Sequence, residues 1–179
     1  AIFSLAVEFL FSEPSVTDAS SLAAVRLGGN SHADRETFEF LQHSGLFQSV
    51  AGENGESFVN WNDGTDTRRL FAVQASRNYF TALGMPMALG RGWSEADPPE
   101  VTVLRYNFWR KHLHADPAIV GRSLSLEGKA YTVIGVLPEN HRTLVGFGFA
   151  PDLYLPVFRS DTVLAVCARL QPGMTFAAA

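Results

Sequence analysis

The sequence lacks several features that would assign it to a common functional class. Its 179 residues contain one cysteine, Cys167, so no disulfide can form within the chain. It has no Gly-x-x-x-x-Gly-Lys-[Ser/Thr] run, which is the phosphate-binding loop of many ATPases. Its 14 Lys and Arg residues are scattered, whereas nucleic-acid binding favours a basic stripe. These absences argue against a disulfide scaffold, an ATPase and a nucleic-acid-binding protein.

What is present is the composition of a globular protein. Hydrophobic residues make up 46% of the chain and charged residues 18%, with a formal net charge of −4. This length is enough for one ordinary domain, or two small ones, with a real core. Cys167 lies in the apolar run Val163 to Leu170, which is typical of a buried strand. We therefore interpret its thiol as a structural group.

The N-terminal stretch Ala1 to Phe11 is apolar except for Ser4 and Glu8. It is shorter than the roughly 20 residues that cross a bilayer. It also has no basic region, so it is a poor signal peptide. Two interpretations remain open: an amphipathic helix packed on the core, or the end of a transmembrane helix.

A strand–helix–strand unit is predicted over Ser21 to Ala51. Ser21 to Leu27 and Phe47 to Ala51 are the two strands. Ser31 with Asp34 three residues later forms a capping-box pattern at the start of the helix. A glycine, Gly45, ends the helix.

The rest of the chain alternates short strands with two short helices. Asp63-Gly64 predicts a hairpin turn, and Gly84 predicts the end of a helix that Ser76 begins. Together with the first unit this predicts an α+β class. The helices are predicted to begin near Ser76 and Tyr106, and Thr175 is interpreted as the cap of a further helix. The predicted strands are Phe58 to Trp61, Arg69 to Val73, Val101 to Leu104, Ser123 to Leu126, Ala130 to Val136, Leu153 to Val157 and Thr162 to Leu170.

One motif suggests metal binding. His112-Leu-His114-Ala-Asp116 has a spacing used by metal ligands, and imidazole with carboxylate suits zinc. A metallohydrolase of this pattern normally has a further His directly after the Asp, and Pro117 stands there. The pair also follows an amphipathic helix, whose C-terminus favours cations. We therefore interpret these residues as structural and predict no metal site.

Other candidate sites have simpler explanations. Ser44 and Ser76 lack the context of a nucleophile elbow. Glu95, Asp97 and Glu100 form an acidic turn without the spacing of an EF-hand. The Gly- and Phe-rich loop from Arg142 to Ala150 is interpreted as a surface loop, with a partner contact as the alternative. The sequence thus predicts no catalytic, cofactor-binding or metal site.

A series of short motifs resembles the MacB-like periplasmic core domain of ABC-transporter permeases, in the FtsX-like permease family. Each motif is weak alone, and their fixed order over roughly 100 residues is specific. Two departures are Arg105, where a Ser is usual, and Trp93, where a Phe is usual. The motifs are Asn78-Tyr-Phe-x-x-Leu-Gly84, Gly90-Arg91, Val103-Leu104, Trp109, Asp116-Pro117, Gly121, Thr132-Val-Ile-Gly-Val-Leu-Pro138 and Ala168-Arg-Leu-Gln-Pro-Gly173.

The resemblance implies a division of the chain. Residues 21–55 and 162–179 would form a porter-like subdomain of two strand–helix–strand units, the second one truncated. Residues 56–161 would form an inserted, mostly β subdomain. Residues 1–20 would be the end of a transmembrane or packing helix and a linker.

The resemblance also implies a function without catalysis. The chain would be an extracytoplasmic domain of a bacterial inner-membrane permease, on the periplasmic side, transmitting conformational change from the membrane part. Expected partners are an ABC ATPase, a second permease copy in a homodimer and a periplasmic protein, with no cofactor and no nucleic acid. Two alternatives remain open: a periplasmic ligand- or lipid-binding module, and a metal-dependent hydrolase.

Overall fold

The computed structural model describes residues 3–6, 16–27, 32–141, 151–157 and 164–173. These residues form an α+β structure in which strands predominate, as the sequence predicts. The helices are α1 (Arg35–His43), α2 (Tyr79–Leu83) and α3 (Tyr106–His112). The strands are β1 (Phe3–Ala6), β2 (Leu22–Leu27), β3 (His32–Ala33), β4 (Phe47–Asn62), β5 (Thr67–Ala75), β6 (Leu89–Gly90), β7 (Val101–Leu104), β8 (Ser123–Leu126), β9 (Lys129–Val136), β10 (Leu153–Pro156) and β11 (Leu164–Leu170).

The first strand corrects the prediction for the N-terminus. β1 pairs with β2 in antiparallel register, with Phe3 opposite Leu27 and Ala6 opposite Ala24. The helix expected over Ala1 to Phe11 is therefore wrong for these four residues, under both interpretations of that helix. A short apolar run suits a strand as well as a helix, and the distant partner strand decides between them. The rest of that stretch lies outside the described residues.

The strands join into one sheet, whose main path is β1-β2-β11-β4-β5-β10-β7-β9-β6. β11 lies between β2 and β4 and runs antiparallel to both. The predicted strand–helix–strand unit is therefore present as β2, α1 and β4, with the C-terminal strand between its two strands. β10 runs parallel to β5, and β7 runs parallel to β9.

Strand β4 is longer than the sequence predicts. Phe47 to Ala51 and Phe58 to Trp61 were expected as separate strands, and the structure has one strand of 16 residues. Gly52 lies within this strand and does not interrupt it. A Cβ at Gly52 would lie 2.9 Å from the Leu164 side chain, so the glycine permits the close packing of Leu164 against β4. The register against β5 shifts between Asn54 and Ser57. This irregularity lies where residues 21–55 meet residues 56–161.

The caps of two helices differ from the prediction. Asp34 caps α1, since its carboxylate accepts a hydrogen bond from the Thr37 amide at 2.9 Å, and the predicted cap Ser31 lies outside the described residues. The residue before α2 is Asn78, and the Ser76 hydroxyl instead donates to the Asn78 side chain. The observed cap positions, Asp34 and Asn78, lie three and two residues nearer the helix than the predicted ones. Errors of this size are common when helix boundaries are predicted from sequence.

The other predicted elements are present near their expected positions. The hairpin through Asp63-Gly64 connects β4 and β5, with Asn62 opposite Thr67. Gly84 ends α2 in the left-handed conformation, at φ 59°. The short strand β6 was not predicted, and Thr175 lies outside the described residues.

Within the described part of the chain, buried hydrophobic residues form three cores. Side chains alternate across a strand, so β5 contributes Val73 and Ala75 to one core and Leu70 and Ala72 to another. The α1 core includes Val25, Phe38, Leu41, Val50, Leu164 and Val166. The central core includes Leu22, Val73, Tyr79, Phe80, Trp93, Tyr154 and Cys167. The distal core includes Trp61, Leu104, Phe108, Leu126, Val133 and Leu153.

Candidate functional site

The motif that begins at Asn78 packs α2 against the sheet in the central core. The Asn78 side-chain amide donates to the Val50 carbonyl at 2.8 Å. The rings of Phe80 and Trp93 meet edge to face, with centroids 4.5 Å apart. The Trp93 indole N–H donates to the Ser76 carbonyl at 3.1 Å. Trp93, a departure from the usual Phe, thus adds a hydrogen bond that Phe could not make.

Two motif glycines permit the close approach of β6 to β9. A Cβ on Gly90 would lie 2.2 Å from the Ile134 carbonyl oxygen, and Gly90 has φ 66°. A Cβ on Gly135 would lie 2.3 Å from the Arg91 carbonyl oxygen. Neither position has room for a side chain, because the obstacle is backbone. These motif glycines are therefore architectural.

Among the described residues, four buried polar side chains form two hydrogen-bonded pairs in and beside the central core. They are Glu53 on β4, Tyr79 on α2, Tyr154 on β10 and His141 after β9. The Tyr79 hydroxyl donates to the Glu53 carboxylate. The Tyr154 hydroxyl lies 2.9 Å from Nε2 of His141. We call these four residues the polar line; its two hydrogen-bonded pairs meet at the rings of Tyr79 and Tyr154, whose centroids lie 6.0 Å apart.

The buried surroundings keep the tyrosines, the histidine and the neighbouring cysteine uncharged. Burial raises the pKa of Tyr79 and Tyr154 well above the ordinary value, and the Glu53 charge raises both further. Burial, together with a smaller contribution from the Arg105 charge, lowers the pKa of His141 to about 4. Burial also raises the pKa of Cys167 to about 12, consistent with a structural thiol. These groups are therefore neutral at pH 7.

Arg169 on β11 is another buried polar residue, with 10% of its side chain exposed. Its guanidinium donates to the carbonyls of Ala82 at 3.3 Å and Leu83 at 3.1 Å. These carbonyls lie at the C-terminal end of α2, where backbone acceptors lack helical partners and the helix dipole favours a cation. Arg169 thus joins the end of α2 to β11.

The same guanidinium contacts the segment Val16–Ser21, which we call the strap. Arg169 donates to the carbonyls of Thr17 at 2.8 Å and Asp18 at 3.1 Å, and to the Ser21 hydroxyl at 2.6 Å. The Asp18 carboxylate is 4.0 Å away. One side chain therefore connects β11, α2 and the strap that precedes β2.

Sequence analysis missed the importance of Glu53 and Arg169. A usable signal existed for Arg169, since it is a charged residue inside an otherwise apolar strand segment. Such residues are rarely buried unless they are paired or hydrogen-bonded. The sequence could not show their partners, because those come from elements far away along the chain.

The candidate metal ligands are placed in separate surroundings. Nδ1 of His112 lies 3.0 Å from an Arg68 guanidinium nitrogen. The Asp116 carboxylate forms an ion pair with Arg122 at 3.1 Å and caps the short turn after it. His114 has a left-handed backbone, at φ 55°. Within the described ranges, no group of three His, Cys, Asp or Glu side chains could hold a metal ion.

An open cleft of about 390 Å³ lies beside His112 and His114. Its walls are mainly polar, and the one tryptophan among them, Trp61, is 4% exposed. The cleft therefore offers little aromatic surface to a lipid or an apolar ligand. Its lining residues are Trp61, Asn62, Asp63, Thr65, His112, Leu113, His114, Ser123, Leu124 and Ser125.

The other candidate residues make structural contacts. Arg91 donates to both carboxylate oxygens of Asp97, at 2.6 and 2.7 Å, and holds the pKa of Asp97 well below its usual range. The Ser44 hydroxyl donates to the Leu41 carbonyl at 2.8 Å. The loop from Arg142 to Ala150 lies outside the described residues.

Comparison with known proteins gives one family. A family model described as the MacB-like periplasmic core domain matches residues 1–179. No curated protein sequence matches the chain. In the described part of the chain, none of the helices has the length and apolar character needed to cross a membrane.

Three solved structures share the fold at low sequence identity. The periplasmic region of MacB from Actinobacillus actinomycetemcomitans is 16% identical, with a TM-score of 0.60, over 79% of this chain and 66% of that one. The extracellular domain of the noncanonic ABC-type transporter YknZ from Gram-positive bacteria is 14% identical, with a TM-score of 0.60, over 80% and 75%. A domain described as part of a permease of Porphyromonas gingivalis is 15% identical, with a TM-score of 0.54, over 76% and 61%. The chain thus spans less than two thirds of two of these three structures.

Proposed function

The chain belongs to the MacB-like periplasmic core domain family, and we propose that it transmits conformational change between the membrane part of an ABC-type permease and the extracytoplasmic side. Family membership supports an extracytoplasmic domain of a transporter. The proposal adds the mechanical role. Energy would come from an ATPase component on another chain or another part of the same protein. No bond-making chemistry is required of this domain.

The observation that carries the proposal is the set of contacts made by Arg169. Residues that are distant in sequence meet there: the strap near the N-terminus, the end of α2 and the C-terminal strand β11. A domain that transmits movement needs rigid connections between its ends and its body. Hydrogen bonds from a buried guanidinium supply such a connection while they are formed, because they are directional.

The proposal also assigns a separate position and role to each of two parts of the chain. Residues 21–55 and 162–179 are the porter-like part next to the membrane, and residues 56–161 are the insert that reaches away from it. The central core connects the two parts, since it joins Leu22 and Cys167 of the first part to Val73, Tyr79 and Tyr154 of the insert. The distal core is formed within the insert.

The remaining partners are inferred from the permease family. We place the domain on the periplasmic side of a bacterial inner membrane, with an ABC ATPase on the cytoplasmic side. A homodimer of permeases and a periplasmic partner protein are part of the same proposal. The domain itself is proposed to be non-enzymatic.

The test uses the full-length permease that contains this chain, reconstituted in vesicles with its ATPase. Residues 56–161 are replaced by a short Gly-Ser linker, and ATP hydrolysis and transport are measured together. We expect transport to be lost while basal ATP hydrolysis continues. Unchanged transport would contradict the mechanical role. A matched control inserts the same linker at the exposed hairpin turn Asp63-Gly64, which should leave both activities intact.

A further inference from the structure

The strap is held mainly by polar contacts. The Thr17 hydroxyl and amide both donate to the Gly84 carbonyl, at 2.9 and 3.3 Å. Gly84 also makes room for Thr17, because a Cβ on it would lie 2.9 Å from the Thr17 hydroxyl. Val16 packs against the central core, and Thr17 and Asp18 are exposed. Little apolar surface would be uncovered if the strap moved away.

Solvent reaches the strap from its outer side. A cleft of about 250 Å³ separates it from the end of β11 and the turn that follows. Water in this cleft could solvate the strap's carbonyls and hydroxyls when they leave Arg169. The residues lining the cleft are Asp18, Ser20, Ser21, Gln48, Leu170, Gln171, Pro172 and Gly173.

Release of the strap would not leave Arg169 without acceptors. Its bonds to Ala82 and Leu83 belong to α2 and do not involve the strap. Nε and Nη2 would keep these two acceptors, while water from the cleft would replace the acceptors that Nη1 has in the strap. The closed arrangement and an open one can therefore differ by a modest free energy, as a two-state element requires.

We propose that the strap is a latch, closed by Arg169, which connects the N-terminal strand to α2 and so to the insert. In the closed state, movement of β1 and β2 is passed to α2 through Arg169 and Thr17. In the open state this direct route to α2 is lost, and the pairing of β2 with β11 and of β11 with β4 is the remaining connection to the insert. The inference rests on the proposed function, of which it names the mechanical connection.

The test compares variants of the full-length permease by two measurements. The first is hydrogen exchange at the Thr17 amide, with the Val133 amide of β9 as an internal reference. The second is the amount of substrate transported per ATP hydrolysed. The variants are Arg169→Met, which removes the guanidinium, and Thr17→Val, which removes one hydroxyl and keeps the buried arginine. Arg122→Met is the control, since its guanidinium is mostly exposed and pairs with Asp116.

We expect Arg169→Met to speed exchange at Thr17 by about tenfold or more, with Val133 unchanged, and to lower transport per ATP. Thr17→Val should also speed exchange at residue 17 and lower transport per ATP, each to a smaller degree. If Arg169→Met fails to fold, the result for Thr17→Val tests the latch. Unchanged exchange at Thr17 overturns the latch. Faster exchange with normal transport per ATP overturns its role in coupling. If deletion of residues 56–161 leaves transport intact, the proposed function itself fails, whatever the latch variants do.

Discussion

The central core and the distal core lie against opposite faces of the same strands, yet they contain different chemistry. Alternate residues of β5 and β10 point into one or the other. The distal core is filled by aliphatic and aromatic side chains, and its buried indole on Trp109 is satisfied by the Asp116 carbonyl at 2.9 Å. The central core holds the polar line, with Arg169 at its border.

This difference separates two physical tasks. Apolar packing stabilises a fold without fixing it tightly, since hydrophobic contacts are non-directional. Buried hydrogen-bonded groups add little net stability, but they penalise every arrangement that leaves them unpaired. We infer that the distal core keeps the insert folded, while the central core fixes how the insert is joined to the rest. Three predictions test this contrast.

The largest effect on stability should come from the distal core. Leu126 is fully buried there. Leu126→Ala should lower the free energy of unfolding by about 3–5 kcal/mol, through lost burial and a residual cavity. The loss should be the same at pH 7 and pH 5, as measured by urea denaturation. A loss below about 1 kcal/mol would mean that this core collapses readily and does not carry the fold. Leu46→Ala, at an exposed residue, is the control.

The next effect is a pH dependence that belongs to the central core. Folded His141 has a pKa of about 4, against an ordinary value of 6.5, so the unfolded chain binds more protons between these values. Stability from this group is therefore full above pH 6.5 and falls as the pH drops. By pH 4 it has decreased by about 3 kcal/mol.

The measurement is the free energy of unfolding at several pH values between 7 and 4. His141→Gln should flatten the curve over this range, whatever its absolute stability, and His43→Gln at an exposed site should not. An unchanged slope in His141→Gln would show that other groups cause it. Carboxylates such as Asp63, with a pKa lowered to about 2, titrate in a more acidic range. They therefore contribute little to the slope between pH 7 and pH 4.

A smaller effect should follow from removing one hydroxyl of the polar line. Tyr79→Phe leaves the buried Glu53 carboxylate without that donor and should cost about 2 kcal/mol. Tyr106→Phe, in a half-buried ring beside the distal core, should cost less than about 0.5 kcal/mol. Equal costs for the two variants would remove the contrast between the cores. Thermal or urea unfolding of the two proteins side by side gives the answer.

The same contrast explains what could be predicted from the sequence. Turn glycines and helix ends were predictable because their causes are local, as at Gly84 and in the Asp63-Gly64 hairpin. Motif order was sufficient to predict the family. The strand at Phe3–Ala6 was not predictable, since its pairing with β2 is a contact between separate segments. Glu53 and Arg169 were overlooked for the same reason: their roles depend on partners in α2 and the strap, which sequence proximity does not reveal.

Hydrogen exchange in the wild-type permease, with and without bound nucleotide, tests the central claim most directly. The relevant amides are those of Thr17 and Gly84 at the latch, with Val133 in the insert as the reference. If the junction transmits the movement of the membrane part, exchange at Thr17 and Gly84 should differ between the nucleotide-free and ATP-bound states, while Val133 stays constant. Identical exchange at Thr17 and Gly84 in both states would contradict the account.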